Sequence, residues 1–320
     1  MRLRGEGINR IKLITHADLD AAGSAVLAKV VFGDIVDINM EMTSTAEKTI
    51  NNFLDDTDNL TFYKRLYITD LSISEELANK IESVCSAHDI RFRLFDHHET
   101  SISLNERQWC TVIESDSTCG TSLFYDYLVD NVLNKDIVKR LKKYKEFVNA
   151  ITLFDTGNWA KENSFISNQL NMLLRVIGKQ RFIERFTEDP NLRLSVDELA
   201  VLQLEQERID RYIYSHKFTS FVIDLKIPNL GEYKASVCYA NDCYMEMFQM
   251  LFDTYPEIDI AILINFPYGI SYRLRDNSNS NIDLSKIAES FGGGGHKESA
   301  GSKISSLKLA EITKIIFEIN

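Results

Sequence analysis

The chain has 320 residues, 44% hydrophobic and 26% charged, the proportions of a globular protein with room for two domains and a buried core in each. Its formal net charge of -11 and pI near 5.1 exclude an extended duplex-binding groove, which needs an excess of lysine and arginine. A short phosphorylated substrate stays open, because a dication centre supplies local positive charge whatever the overall balance.

No apolar run approaches the roughly 20 residues that span a bilayer, and the N-terminus lacks the apolar stretch of a signal peptide. Cys85, Cys110, Cys119, Cys238 and Cys243 are odd in number and form no CxxC, so they read as reduced thiols in a cytoplasmic protein. From residue 11 to about 155, short apolar runs alternate with longer amphipathic segments, the pattern of an α/β domain with a mainly parallel sheet. Residues 11–15 read as a strand ending in His16-Ala17-Asp18-Leu19-Asp20, followed by a helix over 21–31. A strand over 35–40, a helix over 46–54 and a strand over 66–69 follow, the last ending in Asp70. A helix over 74–85 has Ser72 or Ser74 to cap it and Glu75 and Glu76 in its first turn, where the dipole favours them.

Phe92-Arg93-Leu94-Phe95 is the next strand and runs into Asp96-His97-His98. Residues 110–113 read as a strand and 117–129 as a helix capped by Ser117 or Thr118. Residues 135–154 are helical up to Asp155, and 163–217 are nearly all helical, interrupted by Pro190. Strands are predicted at 236–238, 258–265 and 270–274, with a helix at about 244–255. Gly292-Gly293-Gly294-Gly295-His296 then follows residues 282–291. These features divide the chain into an N-terminal domain at 1–194, a helical connector at 195–217 and a smaller α/β domain at 218–320.

Three strands that each deliver aspartate or histidine to their C-terminal ends point to a metal centre at the rim of a parallel sheet. A lone aspartate after a strand is most often a turn residue, and Asp-x-Asp alone most often caps a helix. Their conjunction with Asp155 and paired histidines decides for a site. Two divalent cations would take Asp18 and Asp20, one acid toward each ion, with Asp70 between them. His97 and Asp155 complete the second position and His16 the first, leaving His98 for a phosphate oxygen or the attacking water. Carboxylate-rich ligation with imidazole suits manganese, with magnesium as the alternative, better than zinc. Such a centre hydrolyses phosphoesters. The glycine run would converge backbone N–H groups on an anion, with His296 at the start of a following helix as an added donor, and Arg273 and Arg275 would clamp a phosphate.

In this order the motifs resemble the DHH phosphoesterase superfamily. Thr15-His16-Ala17-Asp18-Leu19-Asp20 is similar to its first motif, Thr69-Asp70 to the second, Asp96-His97-His98 to the third and Phe154-Asp155 to the fourth. Gly292 to His296 with Lys297-Glu298-Ser299-Ala300-Gly301 is similar to the signature of the DHH-associated C-terminal domain. The resemblance implies two manganese ions on Asp18, Asp20, Asp70, His97 and Asp155, with His98 on the substrate phosphate; His98 and Asp96 are the candidate catalytic residues. It also implies substrate phosphate held by Arg275, Gly293, Gly294, Gly295 and His296. Among subfamilies, length and the first motif look closest to the short-RNA hydrolases of the nano-RNase B type. The implied function is hydrolysis of short RNA or dinucleotides to nucleoside 5′-monophosphates, without long duplex nucleic acid or membrane as partner and with oligomerisation left open. A 3′-phosphoadenosine 5′-phosphate phosphatase and a non-catalytic nucleotide-binding protein are the alternatives.

Overall fold

A computed structural model describes residues 9–228, 230–275, 282–295 and 297–304. In the N-terminal unit, strand β1 (Arg10–His16) lies between β2 (Val36–Glu41) and β3 (Tyr63–Thr69), and β4 (Arg91–Asp96) and β5 (Cys110–Val112) extend the sheet beyond β3. All four pairings are parallel, in the order β2-β1-β3-β4-β5. Parallel strands need crossovers. These are α1 (Leu19–Phe32), then α2 (Thr43–Asp55) with the short α3 (Thr57–Leu60), then α4 (Glu75–Ala87). After β5 come α5 (Gly120–Asn131), α6 (Lys135–Leu141), α7 (Lys145–Asp155), α8 (Phe165–Ile177) and α9 (Lys179–Glu188).

The two-residue period of the strands sends neighbouring side chains to opposite faces. Leu13, with Val26, Phe95, Phe124 and Phe147, fills one core, and Ile14, with Ile50, Leu66, Ile81 and Leu94, fills the other. Each such side chain contributes about 1.5–3 kcal/mol on burial, which fixes the register and therefore where each strand ends. Ser74, not Ser72, caps α4, its Oγ accepting from the Leu77 N–H at 3.3 Å. The chain leaves β1 for β2 on one side and returns to β3 on the other. The C-terminal ends of β1 and β3 therefore flank a topological switch point, where open parallel sheets place their ligands.

The chain divides into compact units between Leu202 and Gln203, inside α10 (Val196–Lys217). The second unit contains β6 (Phe221–Ile227), β7 (Gly231–Tyr239), α11 (Tyr244–Thr254), β8 (Ile260–Asn265), β9 (Gly269–Leu274), α12 (Leu284–Ser290), β10 (Gly294–Gly295) and β11 (Ser299–Lys303). Its sheet runs β10-β11-β9-β8-β7-β6, with β7 and β8 parallel and the other neighbours antiparallel. Ile260, Ile262, Tyr272, Leu284 and Ile287 form its core. Strands β6, β10 and β11 are additions to the elements expected from sequence. All five cysteines are free and buried. Among the described residues no helix is long and apolar enough to cross a membrane.

Candidate metal centre and active site

β1 ends at His16, and two residues later Asp18 caps α1 by accepting from the Ala21 N–H at 3.0 Å. Asp20, in the first turn of α1, is 1% exposed. Its two oxygens accept from the backbone N–H groups of Gly120 and Thr121, each at 2.7 Å, and the Thr121 hydroxyl donates to its carbonyl. Asp20 thus satisfies the orphan donors at the start of α5 from outside that helix. For that reason α5 begins at Gly120 with Cys119 in the cap position, rather than at Ser117 with Ser117 or Thr118 as cap. Asp70 follows β3 with φ 55°, and its N–H donates to the Phe95 carbonyl at 2.9 Å. Aspartate is among the few residues that enter the left-handed region at modest cost.

These positions converge. The His16 Nδ1 donates to Asp18 Oδ2 at 2.7 Å and lies 3.6 Å from Asp70 Oδ2. His97 Nε2 is 3.4 Å from Asp70 Oδ1 and 3.3 Å from Asp155 Oδ2. Three groups of potential ligand atoms each fit within 4.8 Å: His16 with Asp18 and Asp70, Asp20 with His97 and Asp155, and Asp70 with His97 and His98. Asp70 and His97 each belong to two of these groups, so the three form one cluster. A cleft of about 390 Å³ beside it is lined by His97, Glu114, Ser115, Asp116 and Thr156.

Asp96 has a different surrounding. It is fully buried, and its carboxylate accepts from His98 Nδ1 at 2.6 Å, the His97 N–H at 2.9 Å and the Ser72 hydroxyl at 3.2 Å. Burial opposes its ionisation, but the His98 hydrogen bond holds its pKa below the usual range, and Asp96 in turn raises that of His98. His98 keeps its other nitrogen for an outside partner, with 41% of its side chain exposed. Asp96 cannot touch a substrate. Its carboxylate, expected from sequence to be catalytic, faces inward and holds His98 Nδ1.

The cluster is short of positive charge. Asp70 Oδ2 and Asp155 Oδ2 are buried without a hydrogen-bond donor among the described residues. Burial, and then the charges of Asp70 and Asp18, push Asp20 up to about 7; burial and the charge of Asp20 push Asp155 up to about 8. The Asp18 hydrogen bond, and then the nearby Asp70 carboxylate, raise His16 to about 10. Burial works against protonation of His97, yet Asp70 and Asp155 carry it to about 9. Oxygen and imidazole donors crowded in this way fit divalent cations, which would replace the protons. Cys119 lies beside Asp20, but burial first, and then Asp20, push its thiol far up, so it stays an S–H group.

Gly120 is a site residue that the sequence reading does not single out. A Cβ there would stand 2.8 Å from Asp70 Cβ and 2.9 Å from both Asp20 Oδ2 and the Asp70 nitrogen. A glycine in the first turn of a predicted helix is the available signal of close approach. Ser72 and Ser101, linked at 2.9 Å beside Asp96, carry no such signal.

In the second unit, Gly293 and Gly294 line a cleft of about 470 Å³ with Tyr244, Asn265 and Tyr268. The glycine run leads into β10, with β11 after it, so the helix expected to follow it instead precedes it as α12. The N–H groups of Gly292 and Gly293 donate back to the Glu289 and Ala288 carbonyls at 3.0 and 2.8 Å, closing that helix rather than pointing at an anion. A Cβ on Gly293 would fall 2.0 Å from the Gly301 carbonyl oxygen, and one on Gly295 2.5 Å from Ala300 Cα. Close passage of β11 therefore requires glycine there. His296 lies outside the described residues. Arg275, expected as a phosphate clamp, is committed elsewhere: Nε donates to the Ile258 carbonyl and Nη2 to those of Phe252 and Tyr255, at 2.9–3.2 Å. It satisfies the carbonyls at the end of α11 and leaves no complete fork for a phosphate.

Residues 10–157 match the DHH family, N-terminal domain. That segment is a DHH-family N-terminal domain. The chain is 29% identical to oligoribonuclease NrnB of Bacillus subtilis (strain 168) over 301 residues, 91% of this chain and 72% of that protein. In three dimensions it resembles the pGpG-specific phosphodiesterase PggH of Vibrio cholerae, with a TM-score of 0.53, 14% identity and coverage of 97% and 99% of the two chains. It also resembles RecJ of Thermus thermophilus in complex with Mn2+, with a TM-score of 0.56 and 13% identity, over 98% of this chain and 52% of that one. These two likenesses support the DHH fold of the N-terminal unit with a second, smaller sheet unit after it.

Proposed function

We propose that this DHH-family enzyme is a manganese-dependent phosphodiesterase that hydrolyses short oligoribonucleotides or dinucleotides to nucleoside 5′-monophosphates. The observation that carries the reading is the single cluster of overlapping Asp/His groups at the switch point, with two buried carboxylate oxygens that no protein donor among the described residues satisfies. His16, Asp18 and Asp70 would hold one cation, and Asp20, His97 and Asp155 the other. Bound there, divalent cations supply charge neutralisation on the phosphoryl oxygens and a water of lowered pKa. Carboxylate-rich ligation without thiolate favours manganese, then magnesium.

The chain's own residues supply orientation. His98, fixed at Nδ1 by Asp96, presents Nε2 to a phosphate oxygen or to the leaving oxygen. Gly120 and Thr121 fix both oxygens of Asp20, so this acid cannot rotate away from its position. In the second unit the cleft along Gly293 and Gly294 would receive a base or phosphate of the substrate. The short-substrate preference draws on the name of the Bacillus relative and on the acidic balance of the chain.

The test is incubation of the purified protein with manganese and, separately, a diribonucleotide, a ribonucleotide 5-mer and 3′-phosphoadenosine 5′-phosphate, with products separated by chromatography. Release of nucleoside 5′-monophosphates from the dinucleotide is the expected result. Dephosphorylation of the bisphosphate alone would replace this reading with a phosphatase. Nucleotide binding with no turnover in any divalent metal would replace it with a sensor.

A further inference from the structure

The opposite edge of the sheet also carries a cleft. At the N-terminal ends of β3 and β4, on the face that α5 covers, Arg65, Arg91 and Arg93 line a cleft of about 570 Å³ together with Tyr67 and Tyr127; Trp109, packed on Phe92 at 5.0 Å and donating to Glu82 at 2.5 Å on the other face, borders it. That volume lies within the usual range for small-molecule sites. Arg65 and Arg91 are register partners on adjacent strands, as are Tyr67 and Arg93. Two guanidinium side chains therefore rise side by side from strands about 4.8 Å apart, an arrangement that repels unless an anion joins them.

In a chain with 36 basic and 47 acidic residues, no acid lines this cleft. Arg93 donates to the Gln108 carbonyl at 2.6 Å and lies over the Tyr127 ring at 5.7 Å. Arg65 reaches the Tyr67 hydroxyl at 3.4 Å and the Phe32 ring at 6.0 Å. Arg91 is exposed and makes no side-chain hydrogen bond or ion pair among the described residues. The guanidinium groups of Arg65 and Arg93 donate to no carbonyl of α5, so capping the C-terminus of that helix does not explain them. A neighbouring cleft of about 490 Å³ shares Arg65 and Arg91; its acid, Asp89, is taken by Lys64 at 3.5 Å.

We propose that this cleft is a nucleotide-binding site distinct from the hydrolytic edge, with the phosphate chain across Arg65, Arg91 and Arg93. Guanidinium forks bind phosphate oxygens in pairs. From Arg65 to Asp70 along β3 is five residues, about 16 Å, so one mononucleotide cannot occupy both places. The site is independent of the reaction assigned to the metal cluster.

The chain has two tryptophans, Trp109 bordering this cleft and Trp159 after α7. Trp159→Phe leaves Trp109 as the sole indole reporter. In that background, without divalent metal, ATP and inorganic tripolyphosphate are expected to change the fluorescence saturably, and adenosine is not. Adding Arg91→Glu, an exposed substitution checked by circular dichroism, should weaken the response about tenfold or more. Adding Asp70→Asn should leave it unchanged. The proposal fails if no saturable change occurs, if adenosine matches ATP, or if the response survives Arg91→Glu. It also fails if Asp70→Asn abolishes the response, because the ligand would then sit at the hydrolytic edge.

Discussion

Gly120 in the first unit and Gly293 in the second meet the same steric demand for different reasons. At Gly120 the space that a methyl group would fill is taken by Asp70 and Asp20, two side chains of the Asp/His cluster. At Gly293 it is taken by the backbone of Gly301 and Ser302 on the neighbouring strand. The first glycine lets side chains approach one another; the second lets main chains do so. Chemistry in the N-terminal unit therefore resides in carboxylates and imidazoles, whereas the glycine run of the second unit first serves the sheet and only then borders a cleft.

The sharpest way to break this contrast is Asp70→Asn, which removes the acid shared by two ligand groups. Manganese-dependent hydrolysis should fall by about 10³-fold or more, several kcal/mol of transition-state stabilisation. Thermal melting of the metal-free protein should hold or rise, since a crowded charge is gone. Retained turnover would remove Asp70 from the centre.

Next come the glycines themselves. Gly120→Ala and Gly293→Ala should each destabilise by about 1–3 kcal/mol through overpacking, read as denaturation midpoints. Only Gly120→Ala should also weaken manganese binding measured by calorimetry. Equal metal affinity in the two variants would show that close approach at Gly120 has no bearing on the cluster.

The titration of the cluster gives a third handle. Asp20 and Asp155 are lifted from 3.8 to about 7 and about 8, and His97 and His16 from 6.5 to about 9 and about 10. In each case the native state binds more protons than the unfolded one between the two values, so the metal-free protein loses stability as pH rises from about 6 to 9. Divalent cations displace those protons, and manganese should raise the melting temperature more at pH 8 than at pH 6. A metal-free melting temperature that climbs with pH over this window would contradict the assignment. The smallest effect belongs to Arg275→Gln. Losing its bonds to the end of α11 should cost about 1–2 kcal/mol, with KM for a dinucleotide changed less than about twofold. A large rise in KM without loss of stability would restore the phosphate clamp.

How much of this is legible in the sequence depends on locality. The strands β1, β3 and β4 are short apolar runs, and the acids and histidines at their ends identify the site because a parallel sheet gathers C-terminal ends together. The partnership of Asp20 with Gly120 spans 100 positions, and no local pattern encodes it. Its consequence, the late start of α5, reads locally as a helix beginning at Ser117. Strand β6 lies at the sheet edge with most of its residues at least partly exposed, while Ser299–Lys303 is a strand because β9 pairs with it, its own residues having little preference for that state. Arg275 shows the opposite failure: a basic residue near a glycine run suggests an anion, yet helix carbonyls are its partners.

The backbone of Asp70 places two separate demands on one codon. Position 70 must provide a negatively charged oxygen at short reach and must also tolerate a φ of 55°. Asparagine meets only the second demand, and glutamate keeps the charge but lengthens the arm and fits the turn poorly. No single replacement separates chemistry from conformation in the reverse sense, so Asn is the informative probe here and Ala a misleading one.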